Sequence, residues 1–174
     1  MRHRLASAFL WLLPLASLLG CAGGDRRAPL PLSTLVAEVQ PSVVTIQTLD
    51  PRNEPQSLGT GFFIGSQGHL ITNFHVMENA YAARVRTAGG RTYPVAGILG
   101  ENRGSDLIKL AVEIPADETR GLSVADRAPA IADRVVVVGS PMGLEQTVSE
   151  GIVSAIREVP GVGRIFQLSA PISQ

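Results

Sequence analysis

The sequence predicts an all-β protein behind an export signal, and three observations carry that reading. Glycine (18) and proline (12) are frequent among the 174 residues, so turns are many. Long stretches with a 3.6-residue apolar period are missing, and aromatic residues make up 5% of the chain. Short β-branched runs stand between Gly, Pro and polar residues instead, at a spacing that suits barrels or a sandwich. The length is a prior for one domain or slightly more, and a 45% hydrophobic content is ordinary for a globular chain with an apolar leader added. The 15 basic residues balance 15 acidic ones with no basic run and no aromatic-basic interleaving, which argues against a nucleic-acid partner.

Residues 1–20 read as a signal peptide outside the fold. Arg2 and Arg4 make a positive start, residues 5–19 form an uncharged apolar core, and Leu18-Leu19-Gly20-Cys21 follows. That tetrapeptide resembles the bacterial lipoprotein processing box, in which the cysteine is acylated and becomes the mature N-terminus, although Leu19 is a less usual choice at its position. An ordinary cleaved signal, or a single membrane anchor with Cys21 incidental, is the alternative. The apolar core is short for a stable span, and the one cysteine of the chain falls at the required place, so lipidation at Cys21 is expected. A single cysteine leaves no disulfide within the mature chain. The box implies a bacterial cell-envelope protein, lipid-anchored and facing the periplasm, and Ala22 leans toward the outer membrane.

Residues 21–31 read as a tether, because Gly23-Gly24, Arg26-Arg27, Pro29 and Pro31 disfavour regular structure. Residues 33–40 suit a short helix with Ser33 as N-cap, Leu35, Val36 and Val39 on one face, and Pro41 as the stop. Residues 42–48 are a β-branched strand run, and residues 50–57, with Pro51 and Pro55, form a loop. Two apolar runs, 62–64 and 70–71, then flank Gly65-Ser66-Gln67-Gly68, the pattern of a β-hairpin with glycine at the turn. His75 sits just past its second strand. Residues 83–87 and 92–99 make a further hairpin around Gly89-Gly90, with Pro94 expected at an edge. After a polar loop at 101–105, Asp106 leads into a strand at 107–112, and residues 115–120 connect two β units. In the second unit, 134–139 contains four consecutive valines suited to a strand buried on both faces. The loop Ser140-Pro141-Met142-Gly143, a strand region at 147–156, the turn Pro160-Gly161-Val162-Gly163 and a last strand at about 164–169 complete the chain.

The chemistry concentrates between Gly59 and Met77, which holds both histidines that survive removal of the signal. Gly59-Thr-Gly-Phe-Phe-Ile, Leu70-Ile-Thr-Asn-Phe-His75-Val, Ser105-Asp106-Leu-Ile-Lys-Leu, Gly139-Ser-Pro-Met-Gly143 and Thr147-Val-Ser-Glu-Gly-Ile-Val-Ser-Ala155 resemble, in the same order, the HtrA/DegP family of trypsin-like serine proteases. The resemblance runs from about Leu35 to Gln174. It implies a trypsin-like pair of perpendicular six-stranded β-barrels with the active site in the cleft between them. Residues 32–174 would then be the peptidase domain, with barrel one at about 41–115 complete and barrel two at about 116–174 incomplete. The same likeness implies that His75 is the general base and Asp106 its orienting carboxylate.

Those roles have a physical basis apart from the family. A serine hydroxyl is a poor nucleophile at neutral pH, so an imidazole must take its proton and later return it to the leaving amine. A carboxylate on the far ring nitrogen sets the tautomer and stabilises the imidazolium. His69 is the rival base, but directly after the turn glycine it reads more simply as an exposed strand-start residue. Asp106 alone also reads as a loop-ending aspartate before a strand.

The third member of a triad is not in view. Trypsin-like enzymes carry the nucleophile in a Gly-x-Ser-Gly-Gly context, and no serine from Ser33 to Ser173 has it. Ser140, between Gly139 and Pro141, is the nearest imitation, yet the family places that loop beside the site as an activation segment. The final residues, 167–174, resemble the family segment that runs into the nucleophile loop, so the chain is expected to stop roughly three residues before it, to be inactive alone, and to be partly folded or poorly soluble. Two readings follow: an envelope serine endopeptidase acting on unfolded or damaged proteins, or a non-catalytic pseudoprotease lipoprotein that binds polypeptides or a partner. A membrane-tethered β-domain without catalytic ancestry would leave the joint match around His75 and Asp106 as coincidence. No cofactor is expected, and two histidines with one lipobox cysteine make no metal ligand set. The resemblance also implies a homotrimer, with residues 32–40 as the contributing segment.

Overall fold

Six short strands close on one another around an apolar interior, and a three-stranded sheet follows them in the chain. The computed structural model describes residues 30–139 and 147–171. Residues 1–29, which include Cys21, the expected signal and most of the expected tether, lie outside that description, as do residues 140–146, with Ser140, and 172–174. A helix α1 (Leu32–Val39) and a 3-10 turn (Gln40–Ser42) lead into β1 (Val43–Leu49), β2 (Pro55–Ile64) and β3 (His69–Thr72). A one-turn helix α2 (Phe74–Met77) precedes β4 (Ala82–Arg86), β5 (Thr92–Asn102) and β6 (Leu107–Val112). The second unit contains β7 (Arg134–Gly139), β8 (Thr147–Val159) and β9 (Gly163–Leu168).

The barrel runs β1-β2-β3-β6-β5-β4 and back to β1, and every adjacent pair is antiparallel. Alternation fills it: on β6, Ile108, Leu110 and Val112 point inward while Leu107 stays exposed. Val44, Ile46, Phe63, Leu70, Val85, Ile108 and Leu110 form its buried centre. The β2–β3 turn needs its glycines. Gly68 has φ +68°, and a Cβ there would lie 2.6 Å from the Val112 carbonyl oxygen, so only glycine lets β3 start this close to the end of β6.

The expected all-β, trypsin-like architecture is the one observed, with the first barrel closed and the second represented by the sheet β7-β8-β9. Several local expectations are corrected. Ser33 lies inside α1 rather than capping it; the helix begins after Pro31, whose carbonyl accepts the Leu35 N–H at 3.0 Å. Proline at that position, with its fixed φ, starts a helix without a side-chain cap. Strand β2 begins at Pro55, inside the expected loop, and β5 runs on to Asn102 through residues expected to be loop. Pro94 is not at an edge: β5 lies between β4 and β6. Its carbonyl accepts the Glu113 N–H at 3.0 Å, and the ladder shifts register between Val95 and Gly97, which accommodates the missing donor. The four valines of β7 are half-buried rather than buried on both faces, because the three-stranded sheet covers them incompletely.

The connector between the two units is tied to the barrel at two places. Leu122 N–H donates to the Phe63 carbonyl at 2.8 Å, within a parallel bridge between Ile64 and Leu122. Upstream, the Glu118 carboxylate accepts the Tyr93 hydroxyl and pairs with the Arg91 guanidinium. That hydrogen bond, more than burial, pushes the Tyr93 phenol above its ordinary value.

Candidate active site

His75 stands on α2, which the chain enters from β3 through Asn73. Phe74, Val76 and Met77 pack against the barrel core, so this short turn is held by its apolar residues and presents His75 outward, with 65% of its side chain exposed. Asp106 ends the 3-10 turn Arg103–Ser105, and there its backbone is left-handed, with φ +51°. Aspartate tolerates that conformation better than most residues. The turn is closed by Asn102, whose Oδ1 accepts the Ser105 N–H at 3.1 Å, and by Asp106 N–H on the Arg103 carbonyl at 3.2 Å.

The left-handed residue turns the carboxylate back onto α2. Asp106 Oδ1 accepts the His75 backbone N–H at 2.9 Å, and Oδ2 lies 2.6 Å from His75 Nδ1. The Asp106 carbonyl accepts the Phe74 N–H and the Asn73 side-chain amide, each at 3.1 Å. The backbone hydrogen bond from His75, followed by the one from its ring, holds the Asp106 carboxyl below the usual carboxylate range. An ionised carboxylate only accepts, so Nδ1 carries the proton between the two groups and Nε2 is the ring nitrogen not engaged by Asp106.

The structure therefore brings His75 and Asp106 together across 31 positions of sequence. His69 opens β3 opposite Ala111 of β6 and is half-buried rather than exposed. Ser140 and Cys21 lie outside the described residues. Among the described residues, no group of three or more His, Cys, Asp or Glu is placed to hold a metal ion, and no helix is long and apolar enough to cross a membrane. Sequence reasoning missed Asn73 and Asn102. Asn102, which accepts the N–H three residues on, is an N-cap legible in principle, whereas Asn73 acts only through a residue distant in sequence.

A closed six-stranded antiparallel barrel followed by a second β unit is the architecture of a trypsin-like peptidase domain, and this one carries a histidine–aspartate pair at its surface. The family model described as trypsin-like peptidase domain matches residues 59–174. The chain belongs to the HtrA/DegP-like family of these peptidases. It is 33% identical over 133 residues to Protease Do-like 1, chloroplastic, of Arabidopsis thaliana, covering 71% of this chain and 30% of the relative. To the periplasmic serine endoprotease DegP of Escherichia coli (strain K12) it is 35% identical over 102 residues, 58% of this chain and 21% of the relative. To a probable periplasmic serine endoprotease DegP-like of Hahella chejuensis it is 39% identical over 103 residues, 59% of this chain and 21% of the relative. The chain thus spans about a fifth to a third of the length of these relatives.

Proposed function

We propose that this chain is the part of an envelope serine endopeptidase that supplies the general base, His75, and its orienting carboxylate, Asp106. The observation that carries the reading is the double hold of Asp106 on His75, at 2.9 Å and 2.6 Å, which leaves Nε2 free to act. In this reading Nε2 removes the proton from a serine hydroxyl as it attacks the peptide carbonyl, and Asp106 stabilises the imidazolium that forms. The same proton passes to the leaving amine, and a water attacks the acyl-enzyme in a second round of the same chemistry. The serine must come in a Gly-x-Ser-Gly-Gly context, which the 174 residues do not contain.

The substrate class is unfolded or damaged polypeptide in the periplasm, in keeping with relatives named periplasmic endoproteases. The domain plan is a signal at 1–20, a tether at 21–31 and a peptidase domain from 32, divided into barrels at about residue 115. Cys21 carries the lipid anchor, and three copies assemble through the segment at 32–40.

Reading the encoding DNA past Gln174 and assaying the full-length product on a reduced, alkylated polypeptide tests the reading. An in-phase Gly-x-Ser-Gly-Gly with activity that falls about 10⁴-fold in Asp106→Asn supports it. A stop codon there, with stable protein that binds the unfolded polypeptide without cleaving it, supports the pseudoprotease instead. Labelling by a fatty acid that Cys21→Ser abolishes tests the anchor.

A further inference from the structure

We infer that Arg103 is a positioning residue for the His75–Asp106 pair and acts by laying its guanidinium on the ring of Phe74; this rests on reading that pair as base and orienting carboxylate. Arg103 Cζ lies 4.5 Å from the Phe74 ring centroid, within the range of a cation–π contact. The two residues flank the pair. Arg103 opens the 3-10 turn that ends at Asp106, and Phe74 directly precedes His75 on α2. One stacked contact therefore joins the segment that carries the carboxylate to the segment that carries the imidazole.

The partner on each side is itself oriented. Phe74 packs against the barrel core, which gives the ring a fixed face. Arg103 Nε donates to Glu101 Oε1 at 3.0 Å near the end of β5, so the guanidinium is also held at one of its edges. A planar guanidinium can hold an ion pair at its edge while its face lies on a ring.

The contact has work to do here. Burial does not lock the pair, since the His75 and Asp106 side chains are 65% and 43% exposed. The hydrogen bonds from Asn73, Phe74 and His75 to the turn all converge on Asp106, which sits at φ +51°, a conformation disfavoured for residues with a Cβ. A residue so placed persists only when its surroundings over-determine it. Arg103 adds a tie that does not pass through Asp106, so relaxation of that left-handed residue must also break the stack.

The test is hydrogen exchange on the full chain, read at the His75 backbone amide and at its Nδ1 proton by NMR. An exposed cation–π contact predicts exchange about two- to five-fold faster at both protons in Arg103→Ala and in Phe74→Leu, with wild-type rates in Phe74→Tyr, which keeps the aromatic face. Wild-type rates in Arg103→Ala, or Phe74→Tyr behaving as Phe74→Leu, overturn the inference. An equal rise at core amides such as Leu110 would mean general loosening and overturns it as well. Asp106→Ala separates the two levels: if it leaves the His75 protons unchanged, the pair itself is not formed and the underlying reading falls too. A response to Asp106→Ala with a silent Arg103→Ala removes the inference alone.

Discussion

The Asp106 carboxylate holds His75 twice, accepting its backbone N–H on Oδ1 at 2.9 Å and facing its ring Nδ1 from Oδ2 at 2.6 Å. Both contacts favour the ionised carboxylate, and they hold its titration below the ordinary value of 3.8. The folded-state value is depressed, so the stabilisation is fully present above the unfolded value, at about pH 4, and is lost as pH falls through the folded value. A carboxyl ¹³C titration of Asp106 is expected to show a midpoint under 3.8, and the hydrogen-bonded His75 amide is expected to exchange faster over the same acid range. A midpoint above that value would mean that the two hydrogen bonds are not kept in solution.

Gly59 and Val76 make a second expectation. A Cβ on Gly59 would lie 2.5 Å from Val76 Cγ1 and 2.8 Å from Cγ2. Val76 is β-branched, sits on the helical turn of His75 and packs against the core, so it has little room to rotate away. Gly59→Ala should destabilise the fold by about 1–3 kcal/mol through overpacking, measured by urea denaturation, and displace α2 enough to speed exchange of the His75 amide. Val76→Ala in the same chain should relieve much of that cost, giving a coupling that two independent sites would not show. Additive losses would mean that the glycine matters for another reason.

Much of the fold was legible because its punctuation is local. The Gly65–Gly68 turn, the run that becomes β6 and the valines of β7 fall where glycine, proline and β-branching place them, since those effects act within a few residues. The misread features depend on distant neighbours. Pro94 looked like an edge residue, but closure of the barrel puts β5 between two strands, and a register shift beside it absorbs the defect. The valines of β7 read as doubly buried, although burial depends on how many strands stand against them. His75 and Asp106 were legible through family motifs. The left-handed φ of Asp106, which makes the pair geometrically possible, has no local sign in the string Arg103-Gly104-Ser105-Asp106. The approach of Asn73 to Asp106 and of Arg103 to Phe74 likewise exists only after β3 and β6 have paired.

Phe63 offers the sharpest test of how the barrel supports the rest. Its side chain is fully buried at the centre of the core, and its carbonyl accepts the Leu122 N–H at 2.8 Å, beside the Ile64–Leu122 bridge. Removing the ring takes away burial and leaves a cavity in a closed barrel whose strands cannot collapse independently, which for Phe→Ala typically costs about 3–5 kcal/mol. Phe63→Ala is therefore expected to unfold the first barrel at much lower urea concentration and to release the connector with it, so the Leu122 amide should lose protection in step with Leu70 and Leu110. Phe63→Leu, which removes less volume, should cost less while keeping that common behaviour. If Leu122 kept its protection while the core amides lost theirs, the connector would be held by the second unit instead, and the barrel would not be the platform from which the chain crosses to it.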